Sequence, residues 1–324
     1  MKTIPPALAD RLVALLTSPD PEYRAQGHEI LRSGLDMLMG QDLRFLSAHS
    51  LDLSEADLTG ADLRRLELEK PDFSGACLRH VTLTESDIQQ ANFALADLRH
   101  ACLEGARITR SSWHEADLCE AGLIGADVSL GNFREASLLN ARLGRVYFIH
   151  SCFEQADLSG SELNGASLDS VVGASARLLG VLANDTTWNK AILPNINAEG
   201  IQLEDAVMRD VCLRDGCLNG ANLQRVNLQF SDLSGVDLSG ADLRDADLTG
   251  AFLIHTSLNG ADLRGAKLRN TVFHETDLQG ALLDTQVTET KLTPELLLRR
   301  HPHGMHDWVW DKREQWFQQR RFFH

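Results

Sequence analysis

Apolar residues recur along this chain every five positions. From Leu53 to Leu283 a five-residue step lands on 47 positions, and 38 of them are Leu or Phe. Ile88, Ile108, Trp113, Val128, Trp188 and Met208 keep the bulk at most of the others; only Gly173, Ala183 and Ala198 are small. Two residues before most central positions stands a small residue, as at Ala56, Ala61, Ala76, Ala91, Ala96, Ala101 and Ala106. The residue between is often Asp or Asn (Asp57, Asp62, Asn92, Asn222, Asp242), giving the pattern A-(D/N)-L-x-x. A period of five suits neither an α-helix nor a simple strand. It asks for a backbone that turns after every fifth residue and buries two side chains in each five.

Repeated over roughly residues 43–290, this motif resembles the pentapeptide-repeat family. The resemblance implies an all-β solenoid: a right-handed four-sided β-helix, one repeat per side, with the central and small residues pointing inward. Four repeats per coil then predict about 12 coils, and a strand spacing of ~4.8 Å predicts a rod of about 55 Å. Phe73, Phe93, Trp113, Phe133 and Phe153 stand 20 residues apart, and Phe273 falls on the same phase. Such spacing predicts a structural ladder of inward rings, stabilising successive coils rather than binding a ligand.

The motif weakens over residues 171–200, although Leu178, Trp188 and Leu193 stay in phase. Degenerate coils with one or two bulges are expected there, the alternative being an excursion that returns in register. An irregular face on a regular rod is a candidate contact site. Residues 1–42 read as a helical hairpin. Pro5 and Pro6 open its first helix, with Leu8, Leu12, Leu15 and Leu16 on one stripe; the second runs from about Pro21 to Leu38. It either covers the first coil of the repeat domain (43–292), whose strand edges would otherwise lie open, or docks a partner. Residues 293–324 differ in composition. They hold Trp308, Trp310, Trp316, Phe317, Phe322 and Phe323 among basic residues, and are expected to be helical. Their rings would cap the last coil or, as in some proteins of the family, join two chains into a homodimer.

Composition narrows the function. The 324-residue chain carries a formal charge of −15, which argues against nonspecific binding to nucleic acid or to an anionic membrane. No apolar run reaches the 18 residues of a membrane span, and no signal-peptide pattern opens the chain. The six cysteines form no C-x-x-C pair, and five precede a central residue in place of Asp or Asn, which suits a reducing, cytoplasmic setting. No phosphate loop, G-x-S-x-G elbow or H-E-x-x-H helix occurs, so an enzyme is not expected and no cofactor is implied. His301, His303 and His306 could hold a metal, but a solvated loop is the expectation.

These features predict a non-catalytic scaffold presenting an acidic rod surface to a protein partner. Asp232, Asp237, Asp242, Asp245 and Asp247 form its densest acidic stretch and are the candidate partner-binding residues. The resemblance also implies two alternatives. One is a DNA-mimicking binder of DNA gyrase or topoisomerase IV, inhibiting the enzyme or conferring antibiotic resistance. The other is a secreted bacterial effector or assembly adaptor.

Overall fold

The computed structural model describes residues 10–12, 14, 15, 18, 20–33 and 51–284. From Leu51 onward the backbone repeats one five-residue unit without interruption. The residue before each central position pairs in parallel with the residue 20 positions later, from Asp52↔Asp72 to Asp262↔Leu282. The Asp52↔Asp72 pair shows the scheme: the Asp72 N–H donates to the Leu51 carbonyl (2.8 Å), and the Leu53 N–H donates to the Asp72 carbonyl (2.7 Å). Pairing extends to three residues in two places. β1 (Glu67–Glu69) pairs with β2 (Asp87–Gln89), and β3 (Phe252–Ile254) pairs with β4 (Val272–His274). Four units make one coil. The faces are numbered from Leu53 (face 1), Leu58 (face 2), Leu63 (face 3) and Leu68 (face 4).

The corners explain why the period is five. The residue two after each central position has positive φ, from Glu55 (59°) through Gly60 (67°) to Gly280 (71°). In most units the next N–H closes the turn, as from Ala56 to the Leu53 carbonyl at 3.2 Å. Thirty-one of these left-handed residues are not glycine, and none of them is Val, Ile or Thr. Two substituents on Cβ make that backbone region costly, so unbranched or polar residues fill it.

Between corners the chain is extended and alternates inward and outward. The small and central residues fill the interior: Ala56, Leu58, Ala61 and Leu63 have no exposed surface. On face 1 the rings of Phe73, Phe93, Trp113, Phe133 and Phe153 stack within 10° of parallel, with centroids 4.3–5.4 Å apart. Phe148 comes from face 4 and meets Phe133 and Phe153 edge-on. Some buried hydroxyls at the small position tie coils together: Ser231 Oγ donates to the Met208 carbonyl (2.8 Å) and Thr271 Oγ1 to the Leu248 carbonyl (2.8 Å).

Residues 171–200 contain no bulge. Their corners, bridges and turns continue the pattern on either side, so the expected irregularity is confined to side-chain identity. The coil 171–190 carries Gly173, Leu178, Ala183 and Trp188 as its four central residues. A Cβ at Gly173 would stand 2.9 Å from Leu193 Cδ2 and 3.3 Å from Phe153 Cβ, so side chains of the adjacent coils already fill the space at that position. Trp188 Nε1–H donates to Thr186 Oγ1 (2.7 Å), which donates to the Ala183 carbonyl (2.6 Å).

Before the coils, α1 spans Pro21–Ser33. The Asp20 carboxylate accepts the Glu22 N–H at 2.9 Å and caps its first turn. Leu12 is buried within the same apolar cluster as the coils, and Ile30 packs against that cluster. Among the described residues no helix is long and apolar enough to cross a membrane.

Candidate interaction surface

Three positions per unit face outward: the residue before the central one, the residue after it, and the corner. The preference for Asp or Asn at the first has a local cause. Its Oδ1 accepts the N–H two residues on, as in Asp52–Ser54 (3.1 Å), Asp157–Ser159 (3.0 Å) and Asp237–Ser239 (2.9 Å). Each such side chain satisfies a backbone donor at the turn.

The densest acidic stretch is thereby divided. Asp232, Asp237, Asp242 and Asp247 lie on faces 1, 2, 3 and 4 of one coil, and Asp245 stands on the corner between faces 3 and 4. Neighbours in sequence here look in four directions. Asp232 is buried, accepting from the Ser234 hydroxyl (2.6 Å) with Arg214 Nε at 3.2 Å. Asp242 accepts from Arg244 (Nη2 at 2.6 Å) and from Gln224 Nε2 (2.7 Å). The Arg244 contact holds its carboxyl below the usual carboxylate range against the opposing effect of burial. Burial raises Asp247, yet donors from Thr249 and Gln229 outweigh it and the net direction is down. Most strongly lowered is Asp97, by Arg99 first, against burial, and then by Arg79.

Stacking by 20 residues builds a different acidic feature. The corner between faces 1 and 2 carries Glu55, Glu115, Glu135, Asp215 and Glu275 and no Lys or Arg. Beside it, the first outward column of face 2 carries Asp57, Asp97, Asp117, Asp157, Asp237 and Asp277, with Arg177 as its one cation. These residues form an acidic rib. The corner between faces 4 and 1 is the opposite, with Lys70, Arg110 and Lys190 against Asp210 alone. The rib was readable by applying the 20-residue period to outward positions as well as to rings.

None of the six cysteines forms a disulfide among the described residues; burial raises Cys212 to about 11 and raises Cys119 as well. Among the described residues no group of three or more His, Cys, Asp or Glu converges as a metal site. The histidine cluster at 301–306 and the rings Trp308, Trp310, Trp316 and Phe317 lie outside the described residues.

A scan against protein families finds pentapeptide repeats in matches that together span residues 50–112, 132–181 and 193–284. The chain belongs to the pentapeptide-repeat family. Members of that family fold as right-handed β-helices, which fixes the hand of these coils. Solved structures similar to this chain include HetL, described as involved in heterocyst differentiation regulation, from Nostoc sp. strain PCC 7120. It is 28% identical, covering 72% of this chain and 90% of HetL, with a TM-score of 0.25. Another is QnrB1, described as a plasmid-mediated fluoroquinolone resistance protein, at 20% identity over 61% of this chain and 92% of its own, TM-score 0.29. A third is Rfr23 from Cyanothece 51142, at 24% identity over 38% and 88%, TM-score 0.16. A search of curated proteins found no match.

Proposed function

We infer that this pentapeptide-repeat protein is a non-catalytic scaffold that binds a protein partner along the acidic rib. The observation that carries the reading is the sorting of charge. One corner and the adjoining column are almost purely acidic along the rod, while another corner is mainly basic. Beyond disfavouring residues branched at Cβ, the backbone leaves the sign of the corner's charge free, because the Asp that satisfies the turn sits elsewhere, at the position before the central residue. Acids on the corner are therefore a surface property. Charge of one sign along an edge steers a complementary partner and sets its register. Affinity capture with the full chain tests the reading. A salt-sensitive partner should be retained by the wild type and lost from Glu115→Lys/Glu135→Lys; equal retention by both would sink it.

A narrower form takes the partner to be a type II topoisomerase, with the rib lying where DNA phosphates lie. The extent of the rib, from Glu55 to Asp277 with its one cation at Arg177, supports this form. Gyrase supercoiling and quinolone-stabilised cleavage are the assays, and no change at stoichiometric protein would remove this form alone. Other parts of the proposal are a helical cap from residues 1–42, about 12 coils, a helical C-terminal segment that caps or dimerises, and a reducing cytoplasmic setting for the free thiols. A role as secreted effector or assembly adaptor is the alternative; detection of the chain in culture supernatant would favour it.

A further inference from the structure

Face 1 contains a panel unlike the rest of the surface. Its first outward column runs Cys152, Val172, Ile192, Cys212, and its second runs Glu154, Ala174, Pro194, Arg214. Val172, Ala174, Ile192 and Pro194 are half-buried and apolar, and no charge stands among them. A glutamate closes one end of the panel and an arginine the other. This substitution of apolar residues for the usual Asp or Asn weakens the motif over 171–200 together with the small central residues Gly173, Ala183 and Ala198.

The panel is complementary to itself. Consider a two-fold axis lying in face 1, perpendicular to the rod, level with the gap between Val172 and Ile192. It sets a second copy antiparallel, face 1 on face 1, and matches each column with itself. Val172 then meets Ile192, Ala174 meets Pro194, and Glu154 meets Arg214, each pair twice. The same axis matches the flanking corners. His150 falls opposite Asp210, Leu130 opposite Phe230, Gln155 opposite Asp215 and Ser175 opposite Asn195. Leu130 and Phe230 are corner residues with positive φ, and Phe230 is half exposed. No two like charges meet. In a parallel arrangement the columns would exchange, setting Glu154 and Arg214 against Cys152 and Cys212. An isologous interface requires this kind of self-matching.

We propose that face 1 is a homodimer interface, in which two rods pack antiparallel about the Val172–Ile192 level. Within its own chain Glu154 lies 3.3 Å from Arg134 and Arg214 lies 3.2 Å from Asp232, so the intermolecular contacts extend existing ion pairs into alternating networks. The matched region runs seven coil spacings from Ser112 to Phe252, about 34 Å, on a face about 10 Å wide before its corners are added. That gives roughly 500 Å² per copy with corners, below the ~800 Å² of a standard interface, so the dimer is a weak one. This arrangement also leaves faces 2, 3 and 4 outward, so the acidic face-2 column of each copy stays exposed while the corner between faces 1 and 2 flanks the interface.

Sedimentation velocity of the full chain from about 1 to 300 µM tests the proposal, with a concentration-dependent dimer expected in that range. Ile192→Glu should raise the dimer Kd at least about tenfold. Glu154→Arg should do the same by opposing Arg214, and Glu154→Arg/Arg214→Glu should recover most of the loss. Because these changes also touch the in-chain ion pairs, geometry is read separately by disulfide trapping. In a background carrying Cys152→Ser and Cys212→Ser, which the same axis would set opposite each other, an oxidised mixture of Glu154→Cys and Arg214→Cys chains should give a crosslinked dimer that neither variant gives alone. A monomer at 300 µM overturns the proposal. So does a dimer that ignores Ile192→Glu, or trapping of Glu154→Cys to itself.

Discussion

The two tryptophans inside the coils allow the same chemical change to be made with opposite results. Trp113 lies in the ring ladder between Phe93 (4.3 Å) and Phe133 (5.4 Å), and its buried Nε1–H has no acceptor. Trp188 is equally buried, but its Nε1–H donates to Thr186 Oγ1. Replacing either by Phe removes about 40 Å³, which at ~24 cal/mol per Å³ costs roughly 1 kcal/mol. At Trp113 the change also removes an unsatisfied buried donor, recovering about 1–3 kcal/mol, and a phenyl ring still stacks on both neighbours. Trp113→Phe should therefore be neutral or stabilising by up to about 2 kcal/mol. At Trp188 a satisfied hydrogen bond is lost on top of the cavity, so Trp188→Phe should destabilise by about 2 kcal/mol. The difference, near 3 kcal/mol, exceeds the spread of either part. Urea unfolding followed by far-UV circular dichroism measures it, provided both variants keep the wild-type m-value. Equal losses would refute the account, since the cavity would then decide and the polar group would not.

Three further outcomes follow from the same structure. Ala183→Leu should cost about 1–3 kcal/mol, because Ala183 has no exposed surface and its carbonyl already accepts from Thr186, to which Trp188 is bonded; an unchanged urea midpoint would contradict a closely packed interior there. Gly220 has φ of 65° and nothing within 4 Å of the place a Cβ would take, so backbone conformation alone decides there. Gly220→Val should then cost about 1 kcal/mol more than Gly220→Asn, read as a lower thermal midpoint. Acid sensitivity has a defined sign: Asp97, Asp242 and Asp262 titrate lower in the folded chain, mainly through Arg99, Arg244 and Arg264. Their contribution is complete above the unfolded carboxylate value of about 4 and is lost as pH falls below it. Urea midpoints should fall below pH 4, and less steeply in Asp97→Asn.

The central grid was legible because it is one-dimensional: a bulky residue every fifth position needs no knowledge of neighbours. Phe73 to Phe153 were legible for the same reason, once the step became 20. Gly173 looked like a lapse because its justification, the side chains of Phe153 and Leu193, belongs to the coils on either side. Volume shared between neighbouring units leaves no periodic trace. Asp232 to Asp247 looked like a patch because sequence proximity was taken for spatial proximity, whereas each step of five turns the chain to a new face. Val172 and Ile192 seemed to signal broken coils, yet they change only outward positions, where the fold tolerates apolar residues. The absence of Val, Ile and Thr at the corners from Glu55 to Gly280 was present in the sequence too, but it acquires meaning only from the positive φ.

The equivalence of the four faces has a consequence for how such a chain can change. All faces share one interior grid and one corner conformation, so removing five residues from a coil leaves every later central residue still pointing inward. What it alters is azimuth: everything downstream swings by a quarter turn. Four such deletions, or one of 20 residues, shorten the rod by a coil and return every surface to its original bearing. A loss of five residues between Ala176 and Thr186 would thus keep a packed interior while moving Ile192 away from Val172. Length, core and surface pattern can in this way be edited independently of one another.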